Sequence, residues 1–145
     1  MELISATVNT MKSRTLPFEE CVIMPIGDIQ YGTDACDIDR LRRHVEWGAK
    51  QPNVYFLGMG DYCDFASGSE RRNLASIAES LHDSGQDAIH GAAAYLLESL
   101  QEILEPTKGR WLGLVSGHHF WKFPDGATTD TRLAAFLDCP FLGDY

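Results

Sequence analysis

No C-x-x-C pair occurs in this chain: its four cysteines, Cys21, Cys36, Cys63 and Cys139, are spaced widely and irregularly. A zinc knuckle and a dithiol redox motif are therefore not suggested, and reduced thiols in a cytoplasmic protein are the plain expectation. No apolar run approaches the roughly 20 residues of a membrane-spanning helix. The first residues lack a basic flank leading into an apolar core, so neither membrane insertion nor secretion is expected. Basic side chains are scarce as well, 12 against 21 acidic ones, for a net charge of −9. Such a surface repels nucleic-acid backbones and anionic lipid, although divalent cations seated on a carboxylate-lined rim would reverse that locally. Repeats, low-complexity tracts and interdomain linkers are absent too. What remains is 145 residues, 44% hydrophobic and 23% charged, enough for one ordered domain with a real core.

Residues 1–18 are mixed and turn-prone and read as a peripheral N-terminal arm. An apolar strand is expected over Val22 to Ile26, with Pro25 its weak point. Ile38, Leu41 and Val45 recur at helical spacing with Asp37 as N-cap, and Pro52 stops that helix. Val54 to Leu57 and Trp111 to Val115 read as buried strands. Between them a long helix opens near Asp83 or Ser84, carries Ile89, Ala93, Leu97, Leu100 and Leu104, and closes before Pro106 and Gly109. A short helix with Leu133, Phe136 and Leu137 is capped by Thr129 or Asp130. The alternation predicts an α/β fold, a β-sheet core of parallel strands with flanking helices.

Each strand is followed by a short polar cluster: Asp28 and Gln30, then Asp61 and Asp64, then His118 and His119. In a parallel sheet the strand carboxyl ends line up along one edge, where ligands bind, so three clusters there point to a metal site. Asp28 and Gln30, one residue apart, share a side if the chain stays extended, and one metal takes both. Asp61 has two oxygens and can bridge two cations. His118 and His119 point apart in an extended segment, one toward the metal and the other toward the substrate as proton donor.

GDIQ, GDYCD and GHH resemble the first three motif blocks of the calcineurin-like metallophosphoesterases, D-x-H, G-D-x-x-D and G-N-H-E or G-N-H-D, and the likeness runs in order over residues 20–145. It implies that residues 19–145 are the N-terminal portion of a metallophosphoesterase domain, a truncated form of an α/β/β/α sandwich. It also implies a hydrolase with two divalent metal ions, manganese preferred and magnesium, zinc, iron or nickel admissible. Asp28, Gln30, Asp61 and His118 would be the metal ligands, and His119 the catalytic group that contacts the phosphate and protonates the leaving group. Asp64 would orient its neighbours. The substrate would be a phosphate ester, either a phosphodiester or a phosphomonoester, attacked by a metal-bridging hydroxide.

The chain departs from that pattern. Gln30 stands in the place of a histidine ligand, His118 in the place of an asparagine, and Phe120 in the place of the closing acidic residue; no histidine follows His119. The alternative is therefore an inactive, non-catalytic fragment that keeps the fold, and a metal-dependent nuclease is a weaker one given the acidic surface. Arg71 and Arg72, expected on a loop after the second block, are candidates to contact a substrate phosphate. Phe120, Trp121 and Phe123 either stack on a base or leaving group or roof the core. His90 lines the site only if the long helix begins at the rim.

Overall fold

The computed structural model describes residues 15–16, 20–66 and 68–143, without the side chains of 68, 69, 78 and 79. The expected arm over 1–18 lies outside the described residues apart from Thr15 and Leu16. Four strands, β1 (Val22–Ile26), β2 (Val54–Gly58), β3 (Trp111–Val115) and β4 (Phe141–Gly143), form one sheet in the order β1-β2-β3-β4, every neighbouring pair parallel. Pro25 sits on the edge strand, where a missing N–H is tolerated. The crossovers are α1 (Ile38–Lys50) and the pair α2 (Gly68–Ser80) and α3 (Asp83–Leu104), and α4 (Thr129–Phe136) leads into β4. The chain is thus α/β, with a four-stranded parallel sheet and flanking helices. Among the described residues no helix is long and apolar enough to cross a membrane.

Helix α1 begins where its sequence dictates, the Asp37 carboxylate accepting from the Arg40 amide. It ends under Arg110, whose guanidinium donates to the carbonyls of Gly48, Ala49, Gln51 and Val54 and so satisfies the last turn. Two local expectations need correction. Arg71 and Arg72 lie on α2, not on a loop; α2 has too thin an apolar stripe to be read as a helix, with Leu74 and Ile77 its only large apolar residues. The cap of α4 is Thr128, which exchanges hydrogen bonds with Thr131, in place of the expected Thr129 or Asp130.

One face of the sheet carries the core. Val54, Phe56, Trp111 and Leu114 pack with Leu41 and Val45 of α1, Leu97, Leu100 and Leu104 of α3, and Leu133 of α4. Trp111 stacks on Phe56 at 5.2 Å and donates its indole N–H to Thr107. Burying each such side chain contributes roughly 1.5–3 kcal/mol, so this layer dominates the stability. The opposite face is apolar but open: Ile23 and Leu142 are 48% and 39% exposed, and Tyr55 and Leu57 are half-buried. A second, smaller cluster of Ala93, Trp121 and Phe123, with Phe65, Leu74 and Ile89 against it, joins α2 and α3 to the loop after β3.

Candidate functional site

The three loops that leave β1, β2 and β3 are stitched together beyond the sheet. The amides of Asp28, Gln30 and Tyr31 donate to the carbonyls of Gly60, Asp61 and Tyr62, each at 3.0 Å, and the Asp64 amide returns to the Tyr31 carbonyl at 2.9 Å. This pairing depends on left-handed backbone. Asp28, Gln30 and Asp61 have φ of 53°, 49° and 52°, and among the described residues the one other non-glycine with positive φ is Asp138. Each such residue costs on the order of 1–3 kcal/mol, and concentrating three at one rim marks a place where geometry is held against local preference.

Asp61 is the hub. Its Oδ1 accepts from the backbone amides of His118 at 2.7 Å and His119 at 3.0 Å, and its Oδ2 lies 3.1 Å from His118 Nδ1. Gly60, at φ +91°, and Gly117 permit this approach, since the two residues pack backbone to backbone. Behind His119, Asp64 Oδ1 stands 3.1 Å from Nδ1. That distance is within ion-pair range, and the buried Nδ1 has no hydrogen-bond partner.

Donor atoms of Asp61, His118 and His119 all lie within 4.8 Å of one another. The histidines do not point apart as expected: the chain bends after β3, and the two rings sit 4.4 Å centre to centre. One carboxylate and two imidazoles with an orphaned ring nitrogen beside them make a donor set that fits a divalent ion. Asp28 lies outside this cluster. Its Oδ1 accepts from Gln30 Nε2 at 2.8 Å, and it lines a separate hollow with Cys36, Asp37, Arg40 and His44. Asp28 and Gln30, expected to share one metal, have their side chains joined by that hydrogen bond.

Two residues absent from the sequence reading of the site support it from beneath. Asp130, fully buried, accepts from the Ser116 hydroxyl and the Gly117 amide through Oδ2, both at 3.1 Å. Burial pushes its carboxyl above the ordinary value, with those donors pulling the other way. Tyr62, 1% exposed, donates its hydroxyl to the Val115 carbonyl at 2.9 Å, tying the β2 exit to the end of β3; burial raises its phenol. No sequence signal separates a buried Asp130 from an ordinary first-turn aspartate, whereas Tyr62, inside G-D-Y-C-D, could have been found as an aromatic set between two polar positions.

Arg71 bridges α2 to the histidine loop, donating to the carbonyls of His118 and Phe120 and lying 4.3 Å over the Phe120 ring. It is held by the protein and positions the loop. Arg72 is exposed on the next residue of α2. Comparison of the chain with family models, with curated proteins and with solved structures returned no match.

Proposed function

We propose that this chain is a metal-dependent phosphoesterase, hydrolysing a phosphodiester or phosphomonoester, built on one half of an α/β/β/α sandwich. The observation that carries it is the convergence of Asp61, His118 and His119 at the carboxyl ends of adjacent parallel strands, with Asp64 behind His119. The open apolar face bearing Ile23, Tyr55, Leu57 and Leu142 supports the sandwich, because parallel sheets are ordinarily covered on both sides and a second sheet would cover this one.

Asp61 and His118, with His119 adjacent, would hold the first ion; Asp61 would bridge to a second drawn toward Asp28 and Gln30 once their mutual hydrogen bond opens. Bound divalent ions supply a hydroxide at neutral pH and neutralise the phosphate oxygens. Everything else falls to the chain. The amides of His118 and His119 fix the orientation of the Asp61 carboxylate. Asp64 stands 3.1 Å from His119 Nδ1 and orients that ring, which suits it to deliver a proton to the departing alkoxide. With Gln30 tied to Asp28, the first position offers the Asp61 carboxylate and the His118 imidazole, so zinc, iron and nickel become as suitable there as manganese.

A second reading has its own observation. Asp28 outside the cluster and Gln30 engaged elsewhere describe a site half disassembled, as in a non-catalytic relative that keeps the fold. Hydrolysis of a chromogenic aryl phosphodiester, assayed with manganese and separately with zinc, distinguishes the two. The phosphoesterase reading expects turnover at least about 100-fold above His119→Ala. Equal rates for both proteins would favour the inert form.

A further inference from the structure

A cavity of about 360 Å³ opens beside the candidate site, between α2, the first half of α3 and the loop after β3. Its walls include Arg71, Arg72, His90, Phe120, Trp121 and Lys122. That volume lies within the range of small-ligand pockets, roughly 300–1,000 Å³. The lining contains three cationic side chains and no carboxylate, on a chain whose net charge is −9. Such a local reversal of sign selects an anion.

The cations divide by role. Arg71 is consumed in holding the His118 and Phe120 carbonyls. Arg72 and Lys122 are exposed, and among the described residues neither has a carboxylate partner. His90 Nδ1 accepts from the Trp121 indole N–H at 3.0 Å, so the neutral ring carries its hydrogen on Nε2 and remains a donor. Phe120, half-buried, contributes aromatic surface and follows His119 directly, while Trp121 is buried behind it. The wall is firm: Phe65 meets Trp121 edge-on at 5.1 Å, and a tight turn from Phe123 to Ala127 closes the loop. A planar ring bearing an anionic group is the ligand that uses both halves of this lining.

We infer that the cavity binds a mononucleotide, its base against Phe120 and its phosphate met by Arg72 and Lys122. The assignment deepens the phosphoesterase reading by naming its substrate class as nucleotide-type esters, and in that respect rests on it. The acidic surface elsewhere argues for a small nucleotide over a polymer.

Calorimetry on protein treated with chelator isolates the cavity from the metal cluster. Adenosine 5′-monophosphate should bind at least about tenfold more tightly than either adenosine or inorganic phosphate, because each of those lacks one half of the recognition. Replacing both exposed cations, Arg72→Ala with Lys122→Ala, should weaken the nucleotide about tenfold and leave adenosine unchanged, and added salt should weaken the nucleotide alone. Equal affinity for nucleotide and adenosine, indifference to the double substitution, or no heat at millimolar ligand overturns the assignment. A thymidine oligomer binding more tightly than the nucleotide also overturns it. Nucleotide binding without hydrolysis of the chromogenic diester leaves the cavity assigned and removes the enzyme; hydrolysis without nucleotide binding does the reverse.

Discussion

Gly117 lies so close to Asp61 that a β-carbon at position 117 would collide with the Asp61 carboxylate oxygen and its amide nitrogen. Neither obstacle can swing away, since one is backbone and the other is held by the amides of His118 and His119. On the far side Gly117 donates its own amide to buried Asp130. The glycine is thus clamped between two aspartates, and its lack of a side chain sets the distance at which the histidine loop meets the Asp61 hub.

Gly117→Ala should therefore damage the site and the fold together. Forcing one methyl into this contact should cost about 1–3 kcal/mol, the range for overpacking a fixed interior. Urea unfolding should show the loss, and titration with manganese or zinc should show weakened binding. An alanine variant with native stability and native metal affinity would mean that the loop has slack the structure does not reveal.

Metal binding itself should be visible as stabilisation. A divalent ion that binds only the folded chain adds about 2.7 kcal/mol at a hundred times its dissociation constant. Melting temperature should rise with added zinc or manganese, and Asp61→Asn and His118→Ala should abolish the rise. Asp28→Asn is the informative control: because Asp28 stands outside the three-residue cluster, the first ion should bind that variant normally. Loss of the shift in Asp28→Asn would show that its carboxylate swings into the site.

The difference between Asp61 and Asp28 marks how far the sequence could be read. Both follow glycine at the end of an apolar run, and both were expected at the rim. That each strand ends there was legible, since uniform runs such as Val54 to Leu57 and Trp111 to Val115 admit few other readings. The left-handed φ shared by Asp28 and Asp61 was not, because side-chain pattern carries no record of such a turn at a non-glycine, nor was the Gln30 hydrogen bond that sets Asp28 apart from Asp61. The same blindness reversed the histidine pair, which needs a bend to bring its rings together. Asp130 escaped for another reason: its burial is created by Ser116 and Gly117 arriving from β3, a tertiary fact with no local trace. Asp37, whose cap depends only on residues within one turn, was found without difficulty.

Left-handed strain can be probed away from the site. Asp138, at φ 56°, follows the last turn of α4, where glycine is the favoured residue. Asp138→Gly should stabilise the chain by up to about 1 kcal/mol, the relief of the β-carbon clash less the extra freedom of the unfolded glycine. Gln30→Gly releases comparable strain but also frees Asp28 from its hydrogen bond. Urea midpoints should rise for Asp138→Gly without any change in metal affinity. A fall in the midpoint would show that the Asp138 side chain supplies stabilisation larger than the strain.

Asp130 should leave a signature in the pH dependence of stability. Unfolded, its carboxyl releases a proton near 3.8; in the folded chain burial moves that release to higher pH. Between the two values the folded state binds more protons than the unfolded one, so this group favours folding most at low pH and loses that contribution as pH rises through its folded pKa. Asp125 runs the opposite way, held below its ordinary value by Arg132, and cancels when wild type and an Asp130 variant are compared. Asp130→Asn keeps an acceptor oxygen for Ser116 and Gly117 and cannot titrate. Relative to that variant, wild-type stability should decline as pH rises above about 4, measured by urea unfolding at several pH values. A difference that stays flat, or that grows in favour of the wild type with rising pH, would show that the donors from Gly117 and Ser116 outweigh burial and hold the carboxylate ionised.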